Sequence, residues 1–394
     1  RAVGQPIACT VTEQLMDLAA RKLGIDPAEL RRRNYAMSGE KRVANITGTV
    51  LSELSLDRCH DQILELMHYG ALRREQEELR RQGIYRGIGL AAFVEMTGVG
   101  PQLYGGLGVR VSAHEACRLS LEPSGEIRCA TSVLDQGQGT LTALRQIVAQ
   151  QIGVGIDAVE LIHGDTSAVP MGGGSWASRG TALGGEAAYR AAAQLKLNLL
   201  TIAGSILQAQ PADLRIEGGQ IIGAAGMVQM SLSDLAEAVH FKSHTIPLDD
   251  LPPVEISERF TSRNLPYLPA NGIQAAHVEV DAGLGTVKLL DFWVVDDCGT
   301  VINPLLVDEQ IRGGVVQGIG AALYEECIYS DSGQLENGTL ADYLVPMAGE
   351  MPDIHVDHVA TPISATRLGA RGVGEAGTLA APAAIWGAVN DALV

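Results

Sequence analysis

The chain has 394 residues, 46% of them hydrophobic and 19% charged, enough apolar material for one large or two ordinary domains and too much for a disordered chain. Its 46 acidic and 29 basic residues leave a net charge of −17, which argues against a nucleic-acid partner and against an anionic membrane surface. Glycine is abundant, at 46 residues, while aromatics are only 4%, so turns and close backbone approaches are expected rather than stacking platforms.

Residues 10–23 read as an amphipathic helix with Val11, Leu15, Leu18, Ala19 and Leu23 on one stripe, ended by Gly24. A short second helix starts at Asp26-Pro27-Ala28-Glu29: Asp as N-cap, Pro at the first position, Glu29 reaching back to the cap. Residues 57–82 read as one longer helix, apolar at Ile63, Leu66 and Met67 and then charged over 73–81, with Gly83 as its C-cap. Strands follow. Residues 88–94 are an apolar run broken by Gly89, and 117–122 with 126–134 alternate about Pro123-Ser124-Gly125, the pattern of a hairpin. A turn at Gly137-Gln138-Gly139-Thr140 leads into a helix over 141–152. The same order recurs: 277–281 and 286–295 flank Ala282-Gly283-Leu284-Gly285, followed by Asp297-Cys298-Gly299-Thr300 and a helix over 307–326. Two runs of hairpin, Gly-Thr turn and helix suggest a duplicated α+β unit. Residues 206–262 show no regular pattern, and an apolar helix is expected over 379–393. No stretch is long and apolar enough to span a bilayer.

The six cysteines (9, 59, 117, 129, 298 and 327) include no C-x-x-C pair, so a zinc ribbon or a self-contained iron–sulfur cluster is poorly supported, and the scattered thiols fit a reducing compartment. There is no H-E-x-x-H, no EF-hand loop and no G-x-S-x-G elbow. Three glycine-rich turns remain. Gly137-Gln138-Gly139-Thr140 precedes a helix, where outward amides and the macrodipole favour an anion, although a plain strand-to-helix turn has the same spacing. Residues 171–181, Met-Gly-Gly-Gly-Ser-Trp-Ala-Ser-Arg-Gly-Thr, combine backbone access with the hydroxyls of Ser178 and Thr181 and with Arg179, a bidentate phosphate donor; the alternative is a flexible surface loop. In Gly372-Val373-Gly374-Glu375-Ala376-Gly377, Glu375 reads equally as a helix-start acid or as a rigidly held general base.

Taken together and in this order, the motifs resemble the molybdenum-binding large subunit of the xanthine dehydrogenase / aldehyde oxidase / carbon monoxide dehydrogenase family, in its C-terminal portion. Arg1-Ala2-Val3-Gly4 resembles the Arg-Gly-x-Gly motif beside the metal. Residues 12–34 resemble the helix pair after it. Gly137-Gln138-Gly139, Ala177-Ser178-Arg179 and Gln317-Gly318 resemble the pterin-cofactor loops, and Gly374-Glu375 the catalytic glutamate. The resemblance implies an α+β fold of mixed sheets with packed helices and a repeated hairpin-helix unit. It implies the end of a first molybdenum-cofactor domain over 1–56 and a second, internally duplicated one over 57–394. It implies a molybdenum–molybdopterin cofactor, in the cytosine dinucleotide form, whose metal is held by the pterin dithiolene with no protein ligand, and gripped by Gly137, Gln138, Gly139, Ala177, Ser178, Arg179, Gln317 and Gly374. Glu375 and Arg1 are then catalytic, and Val3, Glu95 and Met96 line the substrate pocket.

The implied reaction is hydroxylation of an aldehyde or an N-heterocyclic carbon with water as oxygen source, Glu375 taking the proton of the attacking oxygen. Electrons leave to an iron–sulfur subunit with [2Fe-2S] clusters and an FAD subunit, in a cytoplasmic complex. Ala2 stands where copper-containing members carry cysteine, and Val3 where purine-oxidising members carry phenylalanine, so neither carbon monoxide nor a purine is expected as substrate. The family's large subunit is longer at its N-terminal side, so the missing part of the molybdenum subunit is itself an expected partner. A non-catalytic fragment or assembly subunit that holds no cofactor alone is the second reading.

Overall fold

A computed structural model describes residues 1–39, 43–44 and 48–394. In chain order the elements begin with helices α1 (Gln5–Leu23) and α2 (Pro27–Arg32), short strands β1 (Val43–Ala44) and β2 (Val50–Leu51), helices α3 (Leu56–Leu66) and α4 (Tyr69–Arg80), strand β3 (Tyr85–Thr97) and helix α5 (Pro101–Gly106). Then come β4 (Glu115–Leu121), β5 (Ile127–Thr131), α6 (Thr140–Ile152), β6 (Val159–Ile162), α7 (Glu186–Leu207), β7 (Arg215–Glu217), β8 (Gln220–Ile222), β9 (Val228–Ser231), α8 (Leu232–Phe241) and β10 (Glu255–Phe260). The chain ends with β11 (Leu268–Asp281), β12 (Thr286–Asp297), α9 (Pro304–Leu323), β13 (Ile354–His358), α10 (Ala376–Leu379) and α11 (Ala381–Leu393). Among the described residues no helix is long and apolar enough to cross a membrane.

The chain divides into two compact units. The first comprises 1–96, 269–363 and 373–394. Its sheet has the order β13-β12-β11-β3, with β11 and β12 antiparallel and β12 and β13 parallel. Alternation along the strands sends Ala91, Phe93, Ala276, Val278, Phe292 and Val294 to a core with α9, α10 and α11. The residues between them, Ile88, Leu90, Ile273, Ala275, Trp293 and Val295, join Ile63 and Cys59 of α3. Both faces are therefore covered, which is why these strands read as nearly continuous apolar runs. Gly89 interrupts its run because α11 lies directly on it: a Cβ there would fall 1.9 Å from the Ala384 carbonyl oxygen. Gly87 meets Ala388 and Ala392 in the same way, one turn further along.

The second unit comprises 97–268 and 364–372. Its main sheet has the order β10-β4-β5-β6, with β10–β4 and β4–β5 antiparallel and β5–β6 parallel. Helices α6 and α7 pack together, and α7 lies against β4 and β10. Each unit thus contains a hairpin, a helix, and a strand that returns parallel to the hairpin's second strand: β4-β5-α6-β6 in one, β11-β12-α9-β13 in the other. Both hairpins form where the alternation placed them, and the repeated order is a repeated topology.

Several expectations are corrected. Residues 57–82 form two helices, because His68 takes a left-handed φ of 52° and breaks the run. The first helix begins at Gln5, and its apolar stripe is exposed at Val11, Leu15, Leu18 and Leu23. The face it buries carries Thr10, Glu13 and Ala20, and α1 packs on α11. Buried Arg31 anchors this face, pairing with Glu13 and Asp17 at 2.7 Å each. Asp26 does cap α2, accepting from the Ala28 and Glu29 amides, but the Glu29 carboxylate pairs with Arg33. The expected helix over 379–393 is preceded by the separate turn α10. The stretch over 206–262 resolves into a small three-stranded sheet, α8 and β10; α8 opens on a capping box between Ser231 and Asp234.

Candidate functional site

In the first unit, the candidate residues cluster around Glu375. It occupies the N-cap position of α10 without capping it by its side chain. Its Oε1 accepts the Ala2 amide at 2.9 Å. The turn that carries it is fixed from two sides by amide side chains: Gln310 of α9 donates to the Gly374 carbonyl at 3.1 Å, and buried Gln274 of β11 donates to the carbonyls of Ala376 and Gly377 at 2.9 and 3.1 Å. Glycine is required at 377 because the turn presses on α9, where a Cβ would meet the Ile311 oxygen at 2.2 Å. Ala2 and Val3 both adopt left-handed backbone, φ 61° and 48°, a conformation that costs L-residues on the order of 1–3 kcal/mol each. Ala2 is fully buried while Val3 is 94% exposed.

Arg1 feels the carboxylates of both Glu375 and Glu95: burial lowers the pKa of its guanidinium, and the two anions oppose that shift. Glu95 is buried in β3, and the amide of its neighbour Met96 donates to Gln5 Oε1 at 3.3 Å. Arg1, Ala2, Glu95, Met96 and Glu375 are thus drawn to one end of this unit. Gln317 is elsewhere on α9, exposed, two turns beyond Gln310. Sequence reasoning picked Gln317 and missed Gln274 and Gln310, whose tertiary bonds leave no local signature.

In the second unit, the turn before α6 is tied to itself. Asp135 accepts the Gly137 amide at 2.7 Å and the Leu141 amide at 3.2 Å. Gln138 accepts from the Gln136 amide and donates to the Leu134 carbonyl. An acidic side chain therefore already sits at the α6 N-terminus and accepts the Gly137 and Leu141 amides. The 171–181 loop is built differently. Ala177 and Ser178 are consecutive left-handed residues, both at φ 48°, which turns successive backbone amides in a way that suits a polyanionic or heterocyclic ligand. Gly137 and Gly174 have positive φ, 97° and 86°, with nothing within 4 Å of a Cβ position, so neither residue is crowded, although the Gly137 amide is already taken by Asp135.

Arg179 departs from expectation. Its side chain is 0% exposed and pairs with equally buried Glu115 at 2.8 Å. Nη1 donates to the Ser112 carbonyl and Nη2 to the His114 carbonyl, each at 2.9 Å. The terminal nitrogens are spent inside the protein, so the bidentate phosphate contact expected of Arg179 is not on offer. Glu115 had no signal in the sequence beyond being an acid at the start of a strand.

Residues 62–352 match a family described as molybdopterin cofactor-binding domain, and residues 1–35 match a second family of the same description. The chain belongs to the molybdopterin cofactor-binding-domain family. Among its relatives, the nicotine 6-hydroxylase large subunit of Paenarthrobacter nicotinovorans is 34% identical over 395 residues, covering 100% of this chain and 48% of that protein. The carbon monoxide dehydrogenase large chain of Hydrogenophaga pseudoflava is 29% identical, covering 98% and 48%. Quinoline 2-oxidoreductase from Pseudomonas putida 86 superposes with a TM-score of 0.90 at 36% identity, covering 98% of this chain and 49% of that one. The chain spans about half the length of the curated relatives it matches. The α+β fold implied by the resemblance is borne out, and the relatives are named as large or molybdenum-binding subunits of nicotine 6-hydroxylase, carbon monoxide dehydrogenase and xanthine dehydrogenase.

The residues present suit a molybdopterin in backbone chemistry rather than in side-chain charge. The left-handed pair Ala177-Ser178 and the uncrowded positive-φ Gly174 bring backbone polar groups to the site, while the Arg179 side chain is taken up by partners inside the protein.

Proposed function

We propose that this chain is the Glu375-bearing part of a molybdenum hydroxylase that oxidises an aldehyde or an N-heterocyclic carbon, with water as the oxygen source. The observation that carries the reading is the setting of Glu375: a carboxylate in a turn clamped by Gln274 and Gln310, with Oε1 held by the Ala2 amide at 2.9 Å. Three anchored carbonyls on one short turn favour a base held in place over a helix-start acid.

A molybdopterin held against the backbone of Ala177 and Ser178 would supply a metal able to acidify the attacking oxygen and a two-electron acceptor for the substrate carbon. The chain's residues do the rest. Glu375 accepts the proton at its carboxylate, and the Ala2 amide holds that carboxylate in place through Oε1. Arg1 lies near both Glu375 and Glu95 and compensates their charge. Ala177 and Ser178 present backbone to the cofactor, with Gly137, Gln138, Gly139, Gln317 and Gly374 as further contacts; Val3, Glu95 and Met96 border the substrate. The cytosine dinucleotide form, a first cofactor-binding domain ending near residue 56 followed by a second over 57–394, and cytoplasmic partners carrying [2Fe-2S] clusters and FAD complete the proposal. N-heterocycles are favoured as substrates, since the relatives named above include a nicotine 6-hydroxylase and a quinoline 2-oxidoreductase.

The test is Glu375→Gln in the complex purified with its partner subunits, assayed with an artificial electron acceptor. Turnover should fall by about 10²–10⁴-fold, with molybdenum content unchanged. Turnover within a factor of about three of the parent would remove Glu375 from the reaction.

A further inference from the structure

The geometry points to Glu115 and Arg179 as positioning residues, a buried pair that holds residues 172–178 in the shape that offers the Ala177 and Ser178 backbone to the cofactor without touching the cofactor itself. This rests on the proposed cofactor role of that loop and changes what its arginine does.

All polar ends of the pair but Nε are used inside the second unit. Arg179 donates to Ser112 O, His114 O and Glu115 Oε1. Glu115 Oε1 also accepts the Gly173 amide at 3.1 Å, and Oε2 accepts the Ser132 hydroxyl. The Gly173 amide is shared with the His114 carbonyl, also at 3.1 Å. The pair thus joins the strand entry at 112–115, the end of β5 and the start of the glycine loop.

The loop leaves no slack around it. A Cβ on Gly172 would lie 2.2 Å from Ser132 Oγ and 2.4 Å from the Glu115 carboxylate, and one on Gly173 would lie 2.7 Å from the guanidinium carbon. Beyond the glycines, the Arg179 guanidinium lies 5.0 Å from the Trp176 ring centroid, and the Trp176 indole donates to the Gly173 carbonyl at 2.9 Å. Gly173 and Arg179 therefore form the two fixed ends of a short span. Within that span sit the two left-handed residues, a strained pair that persists only where the surroundings over-determine it. Two further contacts complete the clamp: the Ala177 carbonyl accepts the Gly98 amide at 3.1 Å, and the Ser178 carbonyl oxygen stands 1.9 Å from the Cβ position of Gly372.

Burial pushes the Glu115 carboxyl up and the Arg179 guanidinium down in pKa, each opposed by its partner. An ion left alone here is strongly destabilising, whereas removal of both is tolerated far better. That asymmetry gives the test.

The chain is purified with its partner subunits, and molybdenum, pterin and released nucleotide are measured per protein, with the melting temperature of each variant. Molybdenum in the parent complex tests the proposed function separately; its absence there defeats that reading whatever the variants do. Arg179→Lys keeps a point charge but loses the fork that serves three acceptors. It should cut cofactor content by about 10-fold or more. Arg179→Met with Glu115→Gln removes both charges and should return the content to within about three-fold of the parent. A phosphate-binding arginine predicts the reverse: full cofactor in Arg179→Lys, and depletion in a double variant that melts like the parent. That reverse pattern would overturn the positioning role. Should Arg179→Lys fail to fold, the double variant decides by its cofactor content alone.

Discussion

Gly313 and Gly377 offer a sharp test of the packing argument, because neighbouring glycines around one helix contact are expected to respond with opposite signs. Gly313 lies in α9 with nothing within 4 Å of its Cβ position. Alanine there should stabilise by about 1 kcal/mol through helix propensity alone. At Gly377 the added Cβ would lie 2.2 Å from the Ile311 oxygen and 2.9 Å from the Gly314 Cα, where ordinary contacts are about 3.5 Å. The turn must retreat by about 1 Å, at an overpacking cost of roughly 1–3 kcal/mol. The retreat also stretches the Gln274 amide bonds to Ala376 and Gly377, about 1 kcal/mol more for each bond lost. The total is about 2–5 kcal/mol. For 394 residues, an unfolding entropy near 2.1 cal/mol/K per residue makes 1 kcal/mol worth roughly 1 °C in a single cooperative transition. Calorimetry should therefore place Gly313→Ala about 1 °C above the parent and Gly377→Ala roughly 2–6 °C below it. Because Glu375 rides on the same turn, Gly377→Ala should also lower turnover by about 10²-fold. A Gly377→Ala protein melting at or above the parent temperature would refute the account of why glycine stands there.

Two further outcomes concern the first unit. His60 is buried, stands 5.5 Å from the Tyr35 ring centroid, and has its pKa pushed down to about 4 by burial and by Arg32 and Arg31. The unfolded chain takes up this proton first, near pH 6.5, so the site's contribution is intact at neutral pH and is lost as pH falls from about 6.5 to 4, by up to about 3 kcal/mol. Urea midpoints at pH 7 and 4.5 should show a flatter pH dependence in His60→Gln, and an unchanged slope would exclude His60 as the source. Arg31→Met leaves Glu13 and Asp17 without the cation that pairs with both. It should cost about 3–5 kcal/mol, read as a melting temperature roughly 4–6 °C lower; a shift under about 1 °C would mean the pair is dispensable.

The hairpins and the repeated order of elements were legible because period-2 alternation and glycine-containing turns are local signals. The candidate site was proposed from motifs alone, which carry little of its geometry. The α1 stripe was visible, but periodicity does not say which face this chain buries; here a polar face wins because Arg31 satisfies Glu13 and Asp17 beneath it. The break at His68 had no glycine or proline to announce it. Arg179 looked like a phosphate ligand because the sequence shows its charge and not its direction, which Glu115, Ser112 and His114 set from a distant strand entry. Gln274 and Gln310 were invisible for the same reason: their partners are main-chain carbonyls far along the chain.

The contact of α11 on β3 carries a consequence for how this scaffold tolerates change. Gly87 and Gly89 face Ala384, Ala388 and Ala392 with backbone against backbone, and α11 follows directly from the turn that holds Glu375. A contact between main chains has no rotamer to adjust, so an error in spacing passes along the element undamped. Cores built on large side chains are most sensitive where the side chains are biggest. Around Glu375 the order is inverted: replacements should be least forgiven where the residue is smallest, and a scan that truncates side chains to alanine would pass over the positions that matter most.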